Sequence, residues 1–118
     1  MKNKKTILSI LSALIVSALL TFNAQANPKG DESSTFKVYG NCGMCKSRIE
    51  SSLKVKGVSK AAWDAQSKML TVSYDPKVIS LDEVHKIVAG VGHDTEKVSA
   101  EGSTYNNLMG CCQYSRKK

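Results

Sequence analysis

Apolar and polar residues alternate in three short stretches of the chain, at 35–39, 60–65 and 70–74. Alternation with a period of two is typical of strands that bury one face, so each stretch predicts a strand. The polar residues 66–68 separate the second stretch from the third and predict the turn of a hairpin. Trp63 and Tyr74 are expected on the buried face of this hairpin.

Two other stretches have the helical period. The first has apolar residues at every fourth position and is predicted to end at Gly57; these residues are Cys45, Ile49 and Leu53. The second begins after Ser80, which with Glu83 has the sequence of a capping box. Its apolar residues are Val84, Ile87, Val88 and Val91.

A last short strand is expected at 94–98, although its alternation is poor. The order is then strand, helix, strand, strand, helix, strand, which predicts an α+β, ferredoxin-like βαββαβ fold. Its four-stranded antiparallel sheet would carry both helices on one face. The loop after the first strand and the start of the first helix would then meet at one end of the sheet.

The N-terminus has the form of a secretory signal peptide. Lys2, Lys4 and Lys5 precede an apolar run, and Ala24-Gln25-Ala26 has the spacing that signal peptidase accepts. The run is shorter than a membrane span requires. We expect residues 1–26 to be removed, which predicts a periplasmic or extracellular protein that meets the membrane only through this segment.

The remaining chain is long enough for one small domain. We assign 27–34 to a flexible leader, 35–99 to the domain, and 100–118 to an irregular tail. The formal charge of +7 includes the lysines of the signal segment. The other lysines are scattered among carboxylates, which argues against nucleic-acid binding. No set of residues suggests catalysis, so we do not expect an enzyme.

The four cysteines are arranged in two close pairs, Cys42 with Cys45 and Cys111 with Cys112. In an exported chain, cysteines first suggest disulfides. Pairing of Cys42 with Cys111 and of Cys45 with Cys112 would attach the tail to the domain. The close spacing within each pair instead favours metal or redox chemistry.

Residues 36–98 resemble a heavy-metal-associated domain, the family of copper chaperones, metal-ATPase N-terminal modules and the periplasmic mercury-binding protein. The resemblance is carried by Gly40-Asn41-Cys42-Gly43-Met44-Cys45, Arg48-Ile49-Glu50, Val55-Lys56-Gly57-Val58, Leu70-Thr71-Val72-Ser73-Tyr74-Asp75-Pro76 and Val91-Gly92-His93-Asp94. It implies that Cys42 and Cys45 bind a metal ion. The family usually has methionine where this chain has Gly40, and a tail containing cysteines is not a general family feature.

Two thiolates on a short loop suit a soft ion in linear or trigonal coordination, such as Cu(I), Ag(I) or Hg(II). A structural zinc site normally has four ligands. In the family, zinc or cadmium sites often have an acidic residue where Asn41 stands, so the resemblance favours Cu(I), then Hg(II) or Ag(I), then Zn(II). The open coordination position would allow transfer to a metal-transport or acceptor protein.

Other side chains are secondary candidates. The resemblance places His93 near the metal, as a ligand, a supporting group or an exposed loop residue. Cys111 and Cys112 could add ligands, form disulfides or stay inert. We expect Met44 to cover the loop and His85 to be solvated. The positive end of the first helix is expected to lower the pKa of Cys45.

Two other functions stay open. A CxxC motif also occurs in thiol–disulfide oxidoreductases, although a thioredoxin-type enzyme would have a cis-proline facing the motif. The chain could instead be a structural or interaction module with oxidised cysteines.

Overall fold

The computed structural model describes residues 30–116. The predicted signal segment, residues 1–26, lies outside the described residues. Within 30–116, no helix has the length and apolar character that a membrane span requires.

The sheet has three antiparallel strands, β1 (Glu32–Lys37), β2 (Val58–Trp63) and β3 (Met69–Tyr74), in the order β1-β3-β2. The alternating stretches of the sequence therefore do form strands, and β2 and β3 form the expected hairpin. β1 begins three residues earlier than predicted, so part of the expected leader belongs to the sheet.

Two helices complete the α+β core, α1 (Gly43–Ser52) and α2 (Leu81–Gly90). The hydroxyl of Ser80 accepts the backbone N–H of Glu83 at 3.1 Å, which confirms the predicted cap of α2. α1 is shorter than predicted. Gly57, expected as its end, instead adopts a φ of +96° in the turn before β2, a conformation that favours glycine.

The core forms where both helices pack on one face of the sheet. The buried residues that the helices and strands contribute are Phe36, Val38, Cys45, Ile49, Leu53, Trp63, Leu70, Val72, Tyr74, Val84 and Val88. Trp63 and Tyr74 lie in this core, as predicted. Because Cys45 is part of it, the packing of the whole domain holds one of the two motif cysteines in place.

The fourth strand of the prediction is reduced to one bridge between Val38 and Thr95. Backbone hydrogen bonds from Tyr39 N–H to the Asp94 carbonyl (2.8 Å) and from Glu96 N–H to the Lys37 carbonyl (3.1 Å) flank it. The prediction of a full strand at 94–98 is wrong because the chain turns back at once. The Thr95 hydroxyl accepts the N–H of Val98 at 2.9 Å, and side-chain bonds of this kind compete with strand pairing.

The C-terminal segment, residues 100–116, is folded against the domain. It contains a short helix α3 (Gly102–Asn106) and a 3-10 helix (Gly110–Cys112). Leu108, Cys112 and Tyr114 join the hydrophobic core. The prediction of an irregular tail is therefore wrong for this segment, because its few apolar residues lack a helical period yet are buried by contacts with the rest of the chain.

Hydrogen bonds attach this segment to the turn after α2. The Tyr114 hydroxyl donates to the Gly92 carbonyl and accepts the N–H of Asp94, both at 2.7 Å. The Arg116 guanidinium binds the buried Asp94 carboxylate through two nitrogens, at 2.7 and 3.0 Å. Bidentate pairs of this kind combine strength with a defined geometry. The last described residues are thus held in one position on the domain.

His85 is buried, so the expectation of a solvated side chain is wrong. Its ring stacks on Phe36 with 3.9 Å between ring centroids. Its Nδ1 lies 2.7 Å from the Thr95 hydroxyl oxygen. His85 thus packs the turn at Thr95 against β1.

Gly40 stands where the family usually has methionine, and Trp63 fills the space beside it. A Cβ atom on Gly40 would lie 3.0 Å from two carbons of the Trp63 ring and 3.1 Å from Cβ of Cys45. The Trp63 indole N–H also donates to the Val38 carbonyl at 3.0 Å. The large indole therefore packs directly against the motif loop. Glycine is required at position 40 so that the Trp63 ring can approach the backbone closely, and not because the backbone has an unusual φ.

This contact predicts different effects for two glycines of the same loop. Gly40→Ala should destabilise the protein by about 1–3 kcal/mol, because the added methyl overpacks a rigid contact. Gly43→Ala should change stability by less than about 0.5 kcal/mol, because nothing lies within 4 Å of its Cβ position. Urea unfolding of the metal-free proteins measures both values. Equal stabilities of the two variants would contradict the role given to Trp63.

Candidate metal centre

The motif loop joins β1 to α1 and carries both motif cysteines. Cys42 is the N-cap residue of α1, with an extended backbone (φ −142°, ψ −174°), and its side chain is partly exposed. Cys45 lies in the first turn of α1 and is 0% exposed. The extended cap followed by a helical turn is what brings the two sulfur atoms to the same end of the helix.

The two thiols have opposite electrostatic environments. Hydrogen bonds from the backbone amides of Cys45 and Met44 lower the pKa of Cys42. Burial raises the pKa of Cys45, although backbone amides, including Asn41 N–H at 3.3 Å from its sulfur, act in the other direction. The prediction that the helix lowers the pKa of Cys45 is therefore wrong. The backbone amides at the start of the helix lower the pKa of the cap residue, Cys42. At Cys45, in the first turn, desolvation by burial has the larger effect and raises the pKa.

Cys112 brings a third sulfur to the loop. The sulfur atoms of Cys42, Cys45 and Cys112 lie within 4.8 Å of one another, and Cys112 is 0% exposed. The backbone carbonyl beside it, that of Cys111, accepts the Asn41 side-chain N–H at 3.3 Å and lies 3.7 Å from the Cys42 sulfur. All four cysteines are free thiols. Of the two tail cysteines, the structure thus brings Cys112 into the centre.

Cys111 is exposed and lies at the edge of the centre, outside the group of three sulfurs. Its sulfur lies 3.6 Å from the Met44 sulfur and 4.0 Å from the Cys112 sulfur. Met44 itself is 45% exposed, so it covers the loop only partly. Two soft donor atoms therefore stand at the mouth of the centre, outside the three clustered sulfurs.

His93 is buried between the start of the motif loop, at Tyr39, and Tyr114 of the C-terminal segment. Its Nδ1 lies 2.8 Å from the Tyr39 carbonyl oxygen, which can only accept, so Nδ1 carries the proton. Its ring stacks on Tyr114 with 5.4 Å between centroids. Its buried Nε2 has no hydrogen-bond partner among residues 30–116. The structure does not place His93 in the sulfur cluster, and burial lowers its pKa.

Sequence reasoning missed the residues that attach the C-terminal segment, which are Asp94, Tyr105, Tyr114 and Arg116. The Tyr105 ring meets the Tyr114 ring edge-on at 5.0 Å, and burial raises the pKa of Tyr114 to about 12. Two tyrosines in a stretch with few other apolar residues were the available signal. Buried tyrosine needs a hydrogen-bond partner, and no pattern in the sequence identifies that partner.

The centre suits a soft metal ion on chemical grounds. Three sulfurs, two of them shielded from water, are the donors that soft ions prefer. Backbone N–H groups directed at the motif sulfurs offset the charge of thiolates. These features define a ferredoxin-like α+β domain with a thiol site at the end of its first helix.

The chain belongs to the heavy-metal-associated domain family, because the family model matches residues 35–94, half of the chain. The solved structure of the CopZ metallochaperone is similar, with a TM-score of 0.52 and 27% identity, over 54% of this chain and 98% of that one. The N-terminal domain of a potential copper-translocating P-type ATPase from Bacillus subtilis, in its Cu(I)-loaded state, has a TM-score of 0.53 and 31% identity, over 55% of this chain and 84% of that one.

A zinc-transporting ATPase of Synechocystis is also related in sequence. It is 39% identical over 54 residues, which are 45% of this chain but 8% of that protein. This chain thus resembles a small part of that ATPase. None of these matches extends over the whole of this chain.

The opposite environments of the motif thiols predict different reactivities. In the reduced, metal-free protein, iodoacetamide should modify Cys42 about tenfold faster than Cys45, because only Cys42 is both accessible and of lowered pKa. Time-resolved tandem mass spectrometry, which locates each adduct within the shared peptide, measures the two rates. In denaturant the difference should disappear. Equal rates in the folded protein would contradict the assignment.

The buried His93 predicts a loss of stability in acid. Its pKa is lowered in the folded state, so the unfolded state binds the proton first. The free energy of unfolding should therefore fall as the pH drops below about 6.5, by at most about 1.4 kcal/mol per pH unit from this group. Urea titrations of the metal-free protein at several pH values should show a smaller slope for His93→Gln. An unchanged slope in that variant would contradict the role given to His93.

Proposed function

We propose that this protein is a metal carrier that binds one soft heavy-metal ion through Cys42 and Cys45. Cu(I) is the favoured ion, and Hg(II) and Ag(I) are suitable alternatives. The protein sequesters the ion or passes it to a metal-transport or acceptor protein in the cell envelope. It acts by binding and ligand exchange rather than by catalysis.

The proposal rests above all on the placement of the two thiols at one end of the domain. Cys42 is partly exposed and has a lowered pKa, so its thiolate is available to an incoming ion. Cys45 is held by the core, so the second ligand has a fixed position. One accessible and one fixed thiolate suit stepwise capture of an ion and its later release to another thiol.

The preference for Cu(I) follows from the donor set. The three side-chain ligands brought together are all sulfurs, and residues 30–116 do not bring together the four ligands that structural zinc requires. Asn41 beside Cys42 is neutral, so no carboxylate favours a harder ion. The similar Bacillus domain is Cu(I)-loaded, whereas the related ATPase of Synechocystis is described as transporting zinc. We therefore rank Cu(I) before Zn(II).

The proposed location depends on residues 1–26, whose sequence has the form of a signal peptide. An exported carrier would meet its ion outside the cytoplasm. The acceptor would be a protein whose thiolates reach the ion at the partly exposed Cys42.

Metal binding by variants tests this proposal. Anaerobic titration with Cu(I) against a chromophoric competitor should give one tightly bound ion per wild-type chain. Cys42→Ser should weaken binding by about a hundredfold or more, because the hydroxyl is a poor ligand for a soft ion. Cys42 is chosen because it is partly exposed, so that serine fits in its place without disturbing the core, whereas Cys45 is buried. A parallel titration with Zn(II) ranks the ions.

Ser47→Ala is the matched control, since Ser47 lies in the same helix and supplies no sulfur. It should bind Cu(I) as the wild type does. A wild-type protein that binds no Cu(I), Hg(II) or Ag(I) after complete reduction would overturn the proposal.

Thiol–disulfide exchange is the second candidate, favoured by the contrast between an accessible thiol of lowered pKa and a buried one of raised pKa. A thioredoxin-type site also needs a cis-proline. Residues 30–116 contain no cis peptide bond, and Pro76 lies just after β3. Reduction of insulin by the metal-free protein would support this alternative.

A further inference from the structure

We propose that Cys112 is a third thiolate ligand of this metal site, supplied by the folded C-terminal segment, and that Cys111 is not a ligand. This inference rests on the proposed function, because it adds a ligand to the site of Cys42 and Cys45. The metal ion would then have three thiolate ligands, all of them from one chain.

The sulfur positions are close to those of a trigonal site. Metal–sulfur bonds of about 2.3 Å require the three sulfurs to lie about 4.0 Å apart, so from the observed limit of 4.8 Å no pair has to close by more than about 0.8 Å. Soft ions accept three thiolates. Of the three side chains, only that of Cys42 is partly exposed, so it has the most room to adjust to an ion.

The backbone fixes the position of Cys112. It ends the 3-10 helix, where its N–H donates to the Met109 carbonyl at 2.7 Å. The Gln113 side chain donates to the carbonyls of Asn106 and Leu108, each at 3.2 Å, and so ties this turn to α3. The Asn41 side chain ties it to the motif loop. Cys112 is thus held from both sides before any ion arrives.

The residues that follow Cys112 in the sequence also attach the segment to the domain. Tyr114, two residues later, inserts its hydroxyl between Gly92 and Asp94, and Arg116 pairs with Asp94. Ligands held in position by surrounding contacts bind metal more tightly than mobile ones. Ordering of the segment is therefore achieved by folding and does not oppose metal binding.

The two adjacent cysteines, Cys111 and Cys112, differ in burial and in whether their sulfur lies with the motif sulfurs. The Cys112 side chain is buried beside the motif sulfurs, whereas Cys111 is exposed and contacts Met44. Neighbouring residues in a 3-10 helix point about a third of a turn apart. When Cys112 faces the centre, Cys111 therefore lies beside it on the exposed side, outside the three sulfurs that are within 4.8 Å of one another. This makes Cys111 a matched control, with the same side chain and the same segment.

X-ray absorption spectroscopy of the Cu(I)-loaded protein tests the proposal. The protein is purified after expression with its own N-terminal segment, reduced with a phosphine so that no external thiol is present, and loaded with one equivalent of Cu(I). The wild type and Cys111→Ala should show three sulfur neighbours. Cys112→Ala should show two, and its affinity for Cu(I) should fall by about tenfold or more, since even indirect partners of metal ligands change affinity about 10–100-fold.

A second variant keeps the test valid if Cys112→Ala does not fold. Cys111→Ala combined with Met44→Leu and Met109→Leu removes the exposed sulfurs near this end of the domain, so a third sulfur neighbour in the monomeric protein must come from Cys112. Two sulfur neighbours in the wild type, or three in folded Cys112→Ala, would overturn the inference and leave the proposed function intact. A wild type that binds no Cu(I) would instead overturn the proposed function.

Discussion

The docking of Tyr114 on the turn after α2 is the contact on which the shape of the metal centre depends. Its hydroxyl bonds the backbone on both sides of His93, at Gly92 and Asp94, and its ring stacks on the His93 ring. Gly92 also lets Leu108 of the same segment pack closely, since Gly92 has a φ of +105° and a Cβ there would lie 2.9 Å from the Leu108 side chain. Together with the hydrogen bond from the Asn41 side chain to the Cys111 carbonyl, this contact keeps Cys112 beside the motif loop.

In the metal centre, two of the three thiols are held in place and one is accessible. The hydrophobic core, which includes Trp63, holds Cys45, and the folded C-terminal segment holds Cys112. Cys42 is the partly exposed member of the three. A soft ion would therefore meet the most available thiolate first and then the two that are already in place. This order of contact suits capture from solution and exchange with the thiols of another protein.

A closed three-thiolate site changes what a carrier of this size can do. A domain with two thiolates leaves its ion open to attack by a third, which favours rapid transfer. An internal third ligand competes with the thiols of an acceptor, so release would require the C-terminal segment to move away from the loop. The segment is held by polar contacts around Asp94 and Tyr114 and by the burial of Leu108, and local opening of such short elements costs less than global unfolding. Retention and release would then depend on one small structural element.

Much of the fold was predictable because it rests on local patterns. Alternation at β1, β2 and β3 and the Ser80 cap of α2 each reflect a periodicity or a hydrogen bond between near neighbours. The strand at 94–98 was not predictable, because the Thr95 hydroxyl and the Asp94 carboxylate draw the backbone into a turn. The burial of His85 was missed for a related reason, since its place on the helix suggested solvent while Phe36 and Thr95 enclose it.

The sequence by itself determined the α+β class, the order of the elements and the position of Cys42 and Cys45 at the start of a helix, since residue spacing decides all three. Only the tertiary structure decided which thiol is accessible, that Trp63 takes the space beside Gly40, and that Cys112 rather than Cys111 reaches the centre. These depend on burial and on contacts between residues far apart in the sequence, such as Asn41 with Cys111, which are 70 positions apart. Such contacts leave no period in the sequence.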